Sequence, residues 1–379
     1  MSNKVKVLQL QNNYSVSASD LAEQIILGLP SERYEVTAAF LRGEPKPEEL
    51  ASRAHKSVYF KFTRNEIKGL RLQVLLQLYR HCKDEKYDVV IAHRFKPVNT
   101  MMKLNRWLKI PVCIGVSHGF GEYERFYRRW ELRKLINSAW KLVGVSRAVK
   151  GYLLGCGAGL SEDNVVKINN AIDISAAENM QLTREDARQT LGLPDDAFIF
   201  GNIGRLVPVK GQIYLIEAFA KIKDNFPSAM VAIIGEGRAR DDLKAAIQRL
   251  GLEKRVLLLG NKENALQYIK AFDAFVMPSL SEGLPLALLE AMSGHLPVIG
   301  SDIDSMRSIL EDCGGYIFPT KKAELLAQEL AKVIALTPEE RKQKGEQAYT
   351  YLCRNHEIKD FRREYRELVE KLLAENTRT

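Results

Sequence analysis

The chain has 379 residues, of which 46% are hydrophobic and 27% charged, the composition of a globular protein long enough for two domains. It contains no run of eighteen apolar residues, so we expect no membrane-spanning helix, and its first apolar segment is too short for a signal peptide. The five cysteines are scattered without a C-x-x-C pair, which favours reduced thiols in a cytoplasmic protein over a disulfide framework or a zinc site.

The net charge of +9 is concentrated in the N-terminal half of the chain. Residues 1–170 contain 28 lysines and arginines against 16 aspartates and glutamates, whereas the remainder is slightly acidic. This asymmetry indicates an anionic partner for that half: a membrane surface, a nucleic acid or a phosphorylated substrate. A solvated basic surface explains the charge equally well.

Short apolar runs alternate with helical patterns along the whole chain. In the N-terminal half the predicted strands are 4–10, 35–41, 58–62, 88–93, 112–118 and 142–145. In the C-terminal half they are 198–204, 230–235, 256–260, 274–278 and 297–300. Continuous apolar strands between helices are typical of parallel sheets covered on both faces, so the sequence predicts an α/β protein with doubly wound sheets.

The alternation breaks once, over residues 169–197, which are polar and carry no strand pattern. We therefore predict a first domain up to residue 172, a linker over 173–196 and a second domain over 197–355. The two Rossmann-like domains are expected to face each other across a cleft lined by the carboxyl ends of their strands. The last segment, 356–375, carries apolar residues on one helical face, which predicts an amphipathic helix.

A loop with two cations follows the first strand of the second domain. In IFGNIGRLVPVKGQ, the strand ends at Gly204, Arg205 and Lys210 lie in the loop, and Gly211 leads into a helix. Glycine lets the backbone approach a ligand closely, and two cations five residues apart can both reach one diphosphate. The alternative is a solvated loop with two ordinary surface cations.

The segment SEGLPLALLEAM contains two carboxylates, Glu282 and Glu290, on either side of a helix start at Pro285. The N–H groups near residues 283–286 would form an anion site, with the positive end of the helix dipole behind it. Glu290 could then accept hydrogen bonds from a vicinal diol such as a ribose, and Glu282 from a neutral part of the same ligand. Alternatively, Glu290 forms a buried pair with an arginine and Glu282 is a capping residue.

These motifs resemble those of retaining glycosyltransferases of the GT-B fold, specifically glycosyltransferase family four. The resembling stretches are GRLVPVKG, VAIIGEG, INNAID and VLLLGNKENALQYIKAFDAFVMPSLSEGLPLALLEAMSGHLPVIGSD. Glu282 and Glu290 match the E-x7-E motif of that family. The resemblance covers nearly the whole chain, strongly over residues 169–302 and weakly in the N-terminal half.

The resemblance implies a role for each matching position. Arg205 and Lys210 would hold the donor diphosphate and stabilise its charge as the sugar leaves. Glu290 would bind the ribose hydroxyls, and Glu282 the hydroxyls of the donor sugar. His118 would reach that sugar from the N-terminal domain; from the residues alone, a satisfied loop histidine is the commoner interpretation. The remaining donor-binding candidates are backbone groups of Gly204, Gly283, Leu284, Pro285 and Leu286, and a base-stacking loop of Asn261, Lys262 and Glu263.

The resemblance also implies that the terminal helix, and with it residues 356–379, crosses back to the first domain. The sequence departs from the family in the first loop, QNNYSVSASD, which has no paired glycines. Ser15 and Ser17 are therefore the candidates for first-loop or acceptor contacts.

We predict no metal ion and no cofactor. The D-x-D formed by Asp302 and Asp304 is a metal–diphosphate motif in a different transferase fold, but here it lies between a strand and a helical pattern. Asp304 is therefore expected to cap that helix. The cations Arg205 and Lys210 would supply the positive charge instead.

The acceptor side of the site is expected in the basic N-terminal domain. Segment 121–143 interleaves aromatic residues with arginines, a pattern that suits the interface of an anionic membrane or a phosphorylated glycolipid head group. An amphipathic helix with its aromatic residues in the core is the alternative. Nucleic acid is not expected as a partner, because no known binding module appears.

Together these features predict a retaining hexosyltransferase that uses a UDP-, GDP- or ADP-sugar as donor. The acceptor would be a saccharide, such as a lipopolysaccharide-core or other lipid-linked glycan. The protein would be cytoplasmic and peripheral on the inner face of the plasma membrane. Three alternatives stay open: a sugar-nucleotide epimerase, a synthase of the sucrose or trehalose type, and a non-catalytic subunit that binds sugar nucleotides.

Overall fold

The structure is a computed structural model that describes residues 4–14, 16, 20–283 and 285–376. The chain divides into two compact units. The first comprises Met1–Asn170 with Ile358–Thr379, and the second comprises Ala171–Glu357. No helix in the described ranges is both long and apolar enough to span a membrane.

The first unit contains a seven-stranded parallel sheet in the order β3-β2-β1-β4-β5-β6-β7. Strands β1 to β7 are Val5–Asn13, Tyr34–Arg42, Lys56–Tyr59, Val89–His93, Val112–Ser117, Trp140–Gly144 and Val165–Lys167. Helices α1 to α5 are Leu21–Gly28, Leu72–Glu85, Phe95–Leu108, Phe126–Leu135 and Arg147–Gly155. The central strands β4 and β5 are buried along their whole length, because helices cover both faces of the sheet.

The second unit contains a six-stranded parallel sheet in the order β10-β9-β8-β11-β12-β13. Strands β8 to β13 are Phe198–Ile203, Ala229–Ile234, Val256–Leu258, Ala274–Met277, Val298–Ser301 and Tyr316–Phe318. Helices α6 to α13 are Ile174–Met180, Arg184–Leu191, Gln212–Ile222, Arg240–Arg249, Leu286–Ser293, Asp304–Asp312, Ala323–Ile334 and Pro338–Asn355. Two 3-10 helices, Pro208–Lys210 and Ala265–Ala271, lie in the connections.

The last helix, α14 (Ile358–Asn376), belongs to the first unit and packs on α1, as the resemblance implied. The contact is close at Gly28, where an added Cβ would lie 2.8 Å from the carbonyl oxygen of Arg362. The Nε of Arg362 donates to Gln24 at 2.9 Å, and Arg33 pairs with Glu370 at 2.8 Å. Glycine at position 28 is therefore required for the two helices to meet without a shift.

Each of the eleven predicted strands overlaps an observed strand, and the α/β class is confirmed. Two strands were not predicted, β7 and β13, which lie at the sheet edges and have three residues each. β10 is equally short, but its apolar run extends to Leu259 beyond the strand, which made it recognisable.

Segment 173–196, predicted to be a linker, instead folds as α6 and α7 within the second unit. Arg188 on α7 is fully buried and donates to the Oδ2 of Asp273 at 2.8 Å and to the Ala271 carbonyl at 2.9 Å. Ala187 and Leu191 belong to the hydrophobic core. The segment was mistaken for a linker because a charged residue such as Arg188 is not expected in a core. Arg188 can be buried here because hydrogen bonds satisfy its guanidinium group.

Both sheets reverse their direction of winding beside the first strand of the unit, between β1 and β4 and between β8 and β11. All strands in each sheet are parallel, so the loops at their carboxyl ends lie along one edge. In open α/β sheets, the crevice at such a reversal is where ligands bind. Arg205 and Lys210 follow β8 and Glu282 follows β11, whereas His118 follows β5, the neighbour of β4.

We expect Gly28→Ala to destabilise the first unit by about 1–3 kcal/mol, because the new Cβ overlaps a backbone carbonyl that cannot rotate away. Gly151→Ala on α5 is the matched control, since nothing lies within 4 Å of an added Cβ there, and it should change stability by less than about 1 kcal/mol. Urea unfolding followed by tryptophan fluorescence measures this, because Trp107, Trp130 and Trp140 all lie in the first unit. Equal midpoints for the two variants would contradict the close α1–α14 contact.

Candidate functional site

The loops after β8 and β11 are held together by backbone contacts. The N–H of Leu280 donates to the carbonyl of Val209 at 2.8 Å. Gly211 has φ +67°, and a Cβ there would lie 2.0 Å from the carbonyl oxygen of Pro278. Residue 211 must therefore be glycine for both conformational and steric reasons.

Two buried amides fix the loop after β8. Asn202, in β8, donates to the carbonyl of Val276 in β11 at 2.7 Å. Gln212, the first residue of α8, donates to the carbonyl of Arg205 at 3.2 Å and lies 3.4 Å from the Oδ1 of Asn202. The loop backbone is thus positioned while the Arg205 side chain stays exposed. Neither amide was predicted as a site residue, although for Asn202 a polar residue inside an apolar strand is a usable signal.

Lys210 and Glu282 form an ion pair across the two loops. The distance from Lys210 Nζ to Glu282 Oε1 is 2.6 Å, and the side chains are 21% and 12% exposed. The N-cap of α10 is Pro285, and no side-chain oxygen caps that helix. The capping alternative for Glu282 is therefore wrong, and a cation and a hydrogen-bond acceptor lie side by side.

Glu290 lies one turn into α10, and its carboxylate has no ion pair or hydrogen-bond partner among the described residues. Burial raises its pKa, because the charged form loses contact with water. No arginine among the described residues pairs with Glu290, so the alternative of a buried Glu290–arginine pair is wrong for them. A half-buried carboxylate that lacks a protein partner suits a ligand that donates hydrogen bonds.

The start of α10 separates the two glutamates in the chain. Helix α10 begins at Leu286, and the first-turn N–H groups of an α-helix have no acceptor within the helix. Pro285 and Gly283 lead into this turn, whereas Leu284 lies outside the described residues. Helix N-termini of this kind favour anions.

The loop predicted to stack the base follows β10, two strands from β8. Gly235, at the end of β9, donates to the carbonyl of Gly260 at 2.8 Å, and a Cβ at Gly235 would lie 2.0 Å from the carbonyl oxygen of Gly204. These glycines bring the ends of β8, β9 and β10 together. Residues 261–263 therefore lie along the same edge of the sheet as the Lys210–Glu282 pair.

In the first unit, His118 follows β5 and contacts His93, the last residue of β4. The distance from His93 Nδ1 to His118 Nε2 is 3.1 Å. Burial, assisted by the charge of Arg94, lowers the pKa of His118 to about 4, and burial lowers the pKa of His93 well below its ordinary value. Both rings are therefore neutral at pH 7, and one donates a hydrogen bond to the other. His93 was not predicted from the sequence.

Glu122 fixes the turn that carries His118. Its Oε1 accepts from the backbone N–H of His118 and its Oε2 from the hydroxyl of Ser117, both at 3.2 Å. Burial raises the pKa of Glu122 to about 7. Arg128 donates to the carbonyl of Glu122 at 2.8 Å. Glu122 was also missed, because nothing in the sequence distinguishes it from a surface glutamate.

Three other predicted features have different outcomes. Ser15 and Ser17 lie outside the described residues. Asp304 is the first residue of α11, but the N-cap is Ile303 and no side chain caps the helix, so the capping prediction is wrong. Asp302 pairs instead with the Nε of Arg307 at 2.7 Å.

The aromatic residues of segment 121–143 divide into two groups. Tyr123 and Trp140 are buried in the core. Phe126, Tyr127 and Trp130, all on α4, are 77%, 49% and 51% exposed. The interpretation of an ordinary amphipathic helix with buried aromatic residues is therefore wrong for α4.

Two family models together match most of the chain. Glycosyltransferase Family 4 matches residues 20–176, and Glycosyl transferases group 1 matches residues 183–351. The UDP-Gal:alpha-D-GlcNAc-diphosphoundecaprenol alpha-1,3-galactosyltransferase of Escherichia coli is 28% identical over 80% of this chain and 81% of its own. An uncharacterised glycosyltransferase of Methanocaldococcus jannaschii is 31% identical over 66% of this chain and 67% of its own.

The fold is shared with solved structures as well. A glycosyltransferase from Rickettsia africae superposes with a TM-score of 0.83 at 19% identity, covering 98% of this chain and 99% of the other. Membership in the glycosyltransferases, which the motifs indicate, is thus confirmed by sequence, and the GT-B fold by structure. The chain belongs to the glycosyltransferases and has their GT-B fold of two Rossmann-like units.

Proposed function

We propose that this glycosyltransferase moves a hexose, with retention of anomeric configuration, from a nucleoside-diphosphate sugar to a lipid-linked saccharide without a metal ion. The observation that carries the proposal is the 2.6 Å pair of Lys210 and Glu282. In a nucleotide sugar, the anomeric carbon joins a phosphate directly to a ring that carries hydroxyls. A cation beside a hydroxyl acceptor is complementary to that junction.

The other donor contacts follow from the same sheet edge. Arg205 and Lys210 would bind the diphosphate with the N-terminus of α10. The unpartnered carboxylate of Glu290 would accept hydrogen bonds from the ribose diol. Residues 261–263 would contact the base, which is that of a UDP-, GDP- or ADP-sugar.

The transfer step breaks the bond between the anomeric carbon and the diphosphate oxygen. Negative charge then develops on the leaving diphosphate, and Lys210 and Arg205 stabilise it electrostatically in place of a metal ion. In a retaining transfer, the acceptor oxygen enters on the face that the diphosphate leaves. The departing phosphate oxygen is therefore the base closest to the acceptor proton.

The acceptor proposal rests on the first unit and on a relative. The Escherichia coli relative, by its name, acts on a saccharide linked to diphosphoundecaprenol. The excess of lysine and arginine in residues 1–170 suits an anionic acceptor of that kind. Such an acceptor resides in a membrane, so we place the enzyme at the inner face of the plasma membrane as a peripheral protein. The neutral pair of His93 and His118 would offer a hydrogen bond to a sugar hydroxyl.

The test is incubation with UDP-, GDP- and ADP-hexoses in EDTA, with and without a diphospholipid-linked saccharide. We expect one donor to release nucleoside diphosphate slowly alone and much faster with acceptor, and NMR to show the donor's anomeric configuration in the product. Binding without any release indicates a non-catalytic subunit. An altered donor sugar without transfer indicates an epimerase, and activity restored only by Mn²⁺ contradicts metal independence.

We expect Glu290→Ala and Glu282→Ala to affect different steps. Loss of charged hydrogen bonds from Glu290 to the ribose, worth about 1.5–3 kcal/mol, should weaken binding of the free nucleoside diphosphate about 10- to 100-fold. Glu282→Ala should not weaken that binding, because Lys210 keeps its charge and loses only a carboxylate that competes with the phosphate. It should nevertheless lower kcat about 10²- to 10³-fold. Calorimetry and turnover measurements separate the two. Glu311→Ala, which removes an exposed carboxylate on α11, is the control. An equal loss of affinity in both variants contradicts this division of roles.

Nucleotide affinity should also depend on pH through Glu290. Its pKa is raised by burial, and the ribose hydroxyls donate to the ionised form. The dissociation constant should therefore be constant above this raised pKa and increase as the pH falls through it, since a proton must leave before the ligand binds. Glu290→Gln keeps the shape but cannot titrate, so it should show only the titration of the ligand phosphate. Parallel pH profiles for the two proteins would contradict the ribose contact.

A further inference from the structure

Helices α2, α3 and α4 of the first unit line an apolar groove. Its volume is about 780 Å³. The apolar walls are formed by Leu72 and Leu76 from α2, Leu104 and Trp107 from α3, and Trp130 and Leu135 from α4. The groove lies within one unit and shares no residue with the candidate donor site.

Several of these side chains are exposed to an extent that is unusual for their type. Leu72 is 70% exposed, Trp107 66%, Trp130 51% and Leu76 49%. Single exposed apolar residues are common, but a contiguous group of leucines and tryptophans around one groove marks a surface that binds something apolar. The ligand class is therefore at least partly hydrocarbon.

The rim of the groove is basic. Residues 94–135 contain ten lysines and arginines and three glutamates. Lys103, Arg106 and Lys134 line the groove, and its one acidic residue, Glu131, is paired with Lys103 at 2.7 Å. The Nζ of Lys134 lies 3.8 Å from the centre of the Trp130 ring. The surface thus combines hydrocarbon-binding walls with cations that an acidic head group complements.

We propose that this surface docks on an anionic phospholipid bilayer, with an acyl chain in the groove and lipid phosphates on the surrounding cations. Tryptophans beside lysines and arginines are the residues that favour the boundary between lipid head groups and hydrocarbon. The proposal rests on the proposed function in one respect, that a lipid-linked acceptor makes docking useful to the enzyme.

The docking surface is connected to the acceptor side of the first unit by hydrogen bonds. Arg71, which precedes Leu72, donates to the hydroxyl of Thr100 at 3.0 Å and also bonds Asn99. Asn99 in turn donates to Glu131 in the groove at 3.0 Å. On the same helix as Glu131, Arg128 bonds the turn that carries His118. The groove and the turn that carries His118 are therefore joined through one set of hydrogen-bonded side chains within the first unit.

The test uses the full-length protein and vesicles of phosphatidylcholine, alone or with roughly a quarter phosphatidylglycerol. We expect flotation with the anionic vesicles, weakened by salt, and quenching of tryptophan fluorescence by lipids brominated in the acyl chain. Trp107→Phe and Trp130→Phe should each remove part of the quenching, because the remaining Trp140 is buried in the core. Absence of flotation at low salt, or flotation without quenching, would overturn the proposal.

The double variant Trp107→Ala/Trp130→Ala should bind anionic vesicles about tenfold more weakly or worse, and Arg106→Glu/Lys134→Glu, which reverses two groove cations, should lose the preference for anionic lipid. Leu325→Ala, which removes an exposed leucine from the second unit, is the matched control and should bind as the parent does. The unfolding midpoint, followed by Trp140, shows that each variant is folded. Parent-like binding by the tryptophan variant would overturn the proposal, as would capture by an acidic protein in preference to vesicles.

Donor turnover without lipid separates this proposal from the proposed function. The docking variants should release nucleoside diphosphate at the parent rate, since none of their residues lies in the donor site. Vesicle binding with no donor turnover would leave docking supported and the transferase proposal refuted. Normal donor turnover with no vesicle binding would leave the transferase proposal supported and refute docking.

Discussion

The candidate donor site depends on the contact between the loops after β8 and β11. Only a glycine at position 211 allows the Pro278 carbonyl to approach, and only with the loops in contact can Lys210 reach Glu282 from seventy-two residues away. The amides of Asn202 and Gln212 then fix the remaining backbone of the first loop. The ion pair is therefore a product of backbone packing at the winding reversal of the sheet. The same reversal is where α/β folds bind ligands in general.

Buried charges in this protein are of two kinds, and the difference indicates their use. Arg188 is buried with Asp273 and a set of backbone carbonyls, so its hydrogen-bonding capacity is met by the protein itself. Glu290 is half-buried, with a pKa raised by that burial, yet no described side chain bonds its carboxylate. Leaving such a group without a partner costs free energy. A satisfied buried charge stabilises the fold, whereas an unpartnered carboxylate near a helix N-terminus is a candidate for ligand binding.

The sequence predicted the features that are encoded locally. Apolar runs identified eleven strands, and the spacing of Glu282 and Glu290 was enough to single out the α10 segment as a candidate site. Features that depend on distant parts of the chain were not predictable, such as the contact between His93 and His118 on neighbouring strands. Segment 173–196 was mistaken for a linker because helices α6 and α7 present mostly polar residues and bury a charged one. The exposure of the α4 aromatic residues was also undecidable, since a helical pattern does not say which face is covered.

The position of α14 has a consequence for the order of events during synthesis. The second unit is one continuous stretch, Ala171–Glu357, and contains its whole core when residue 357 has left the ribosome. The first unit is interrupted, because α1 lacks its α14 partner until the final nineteen-residue helix emerges. Domains generally fold as units, in the order in which they become complete. The core of the first unit is therefore complete only after α14 has been synthesised, when all of the second unit is already present in the chain.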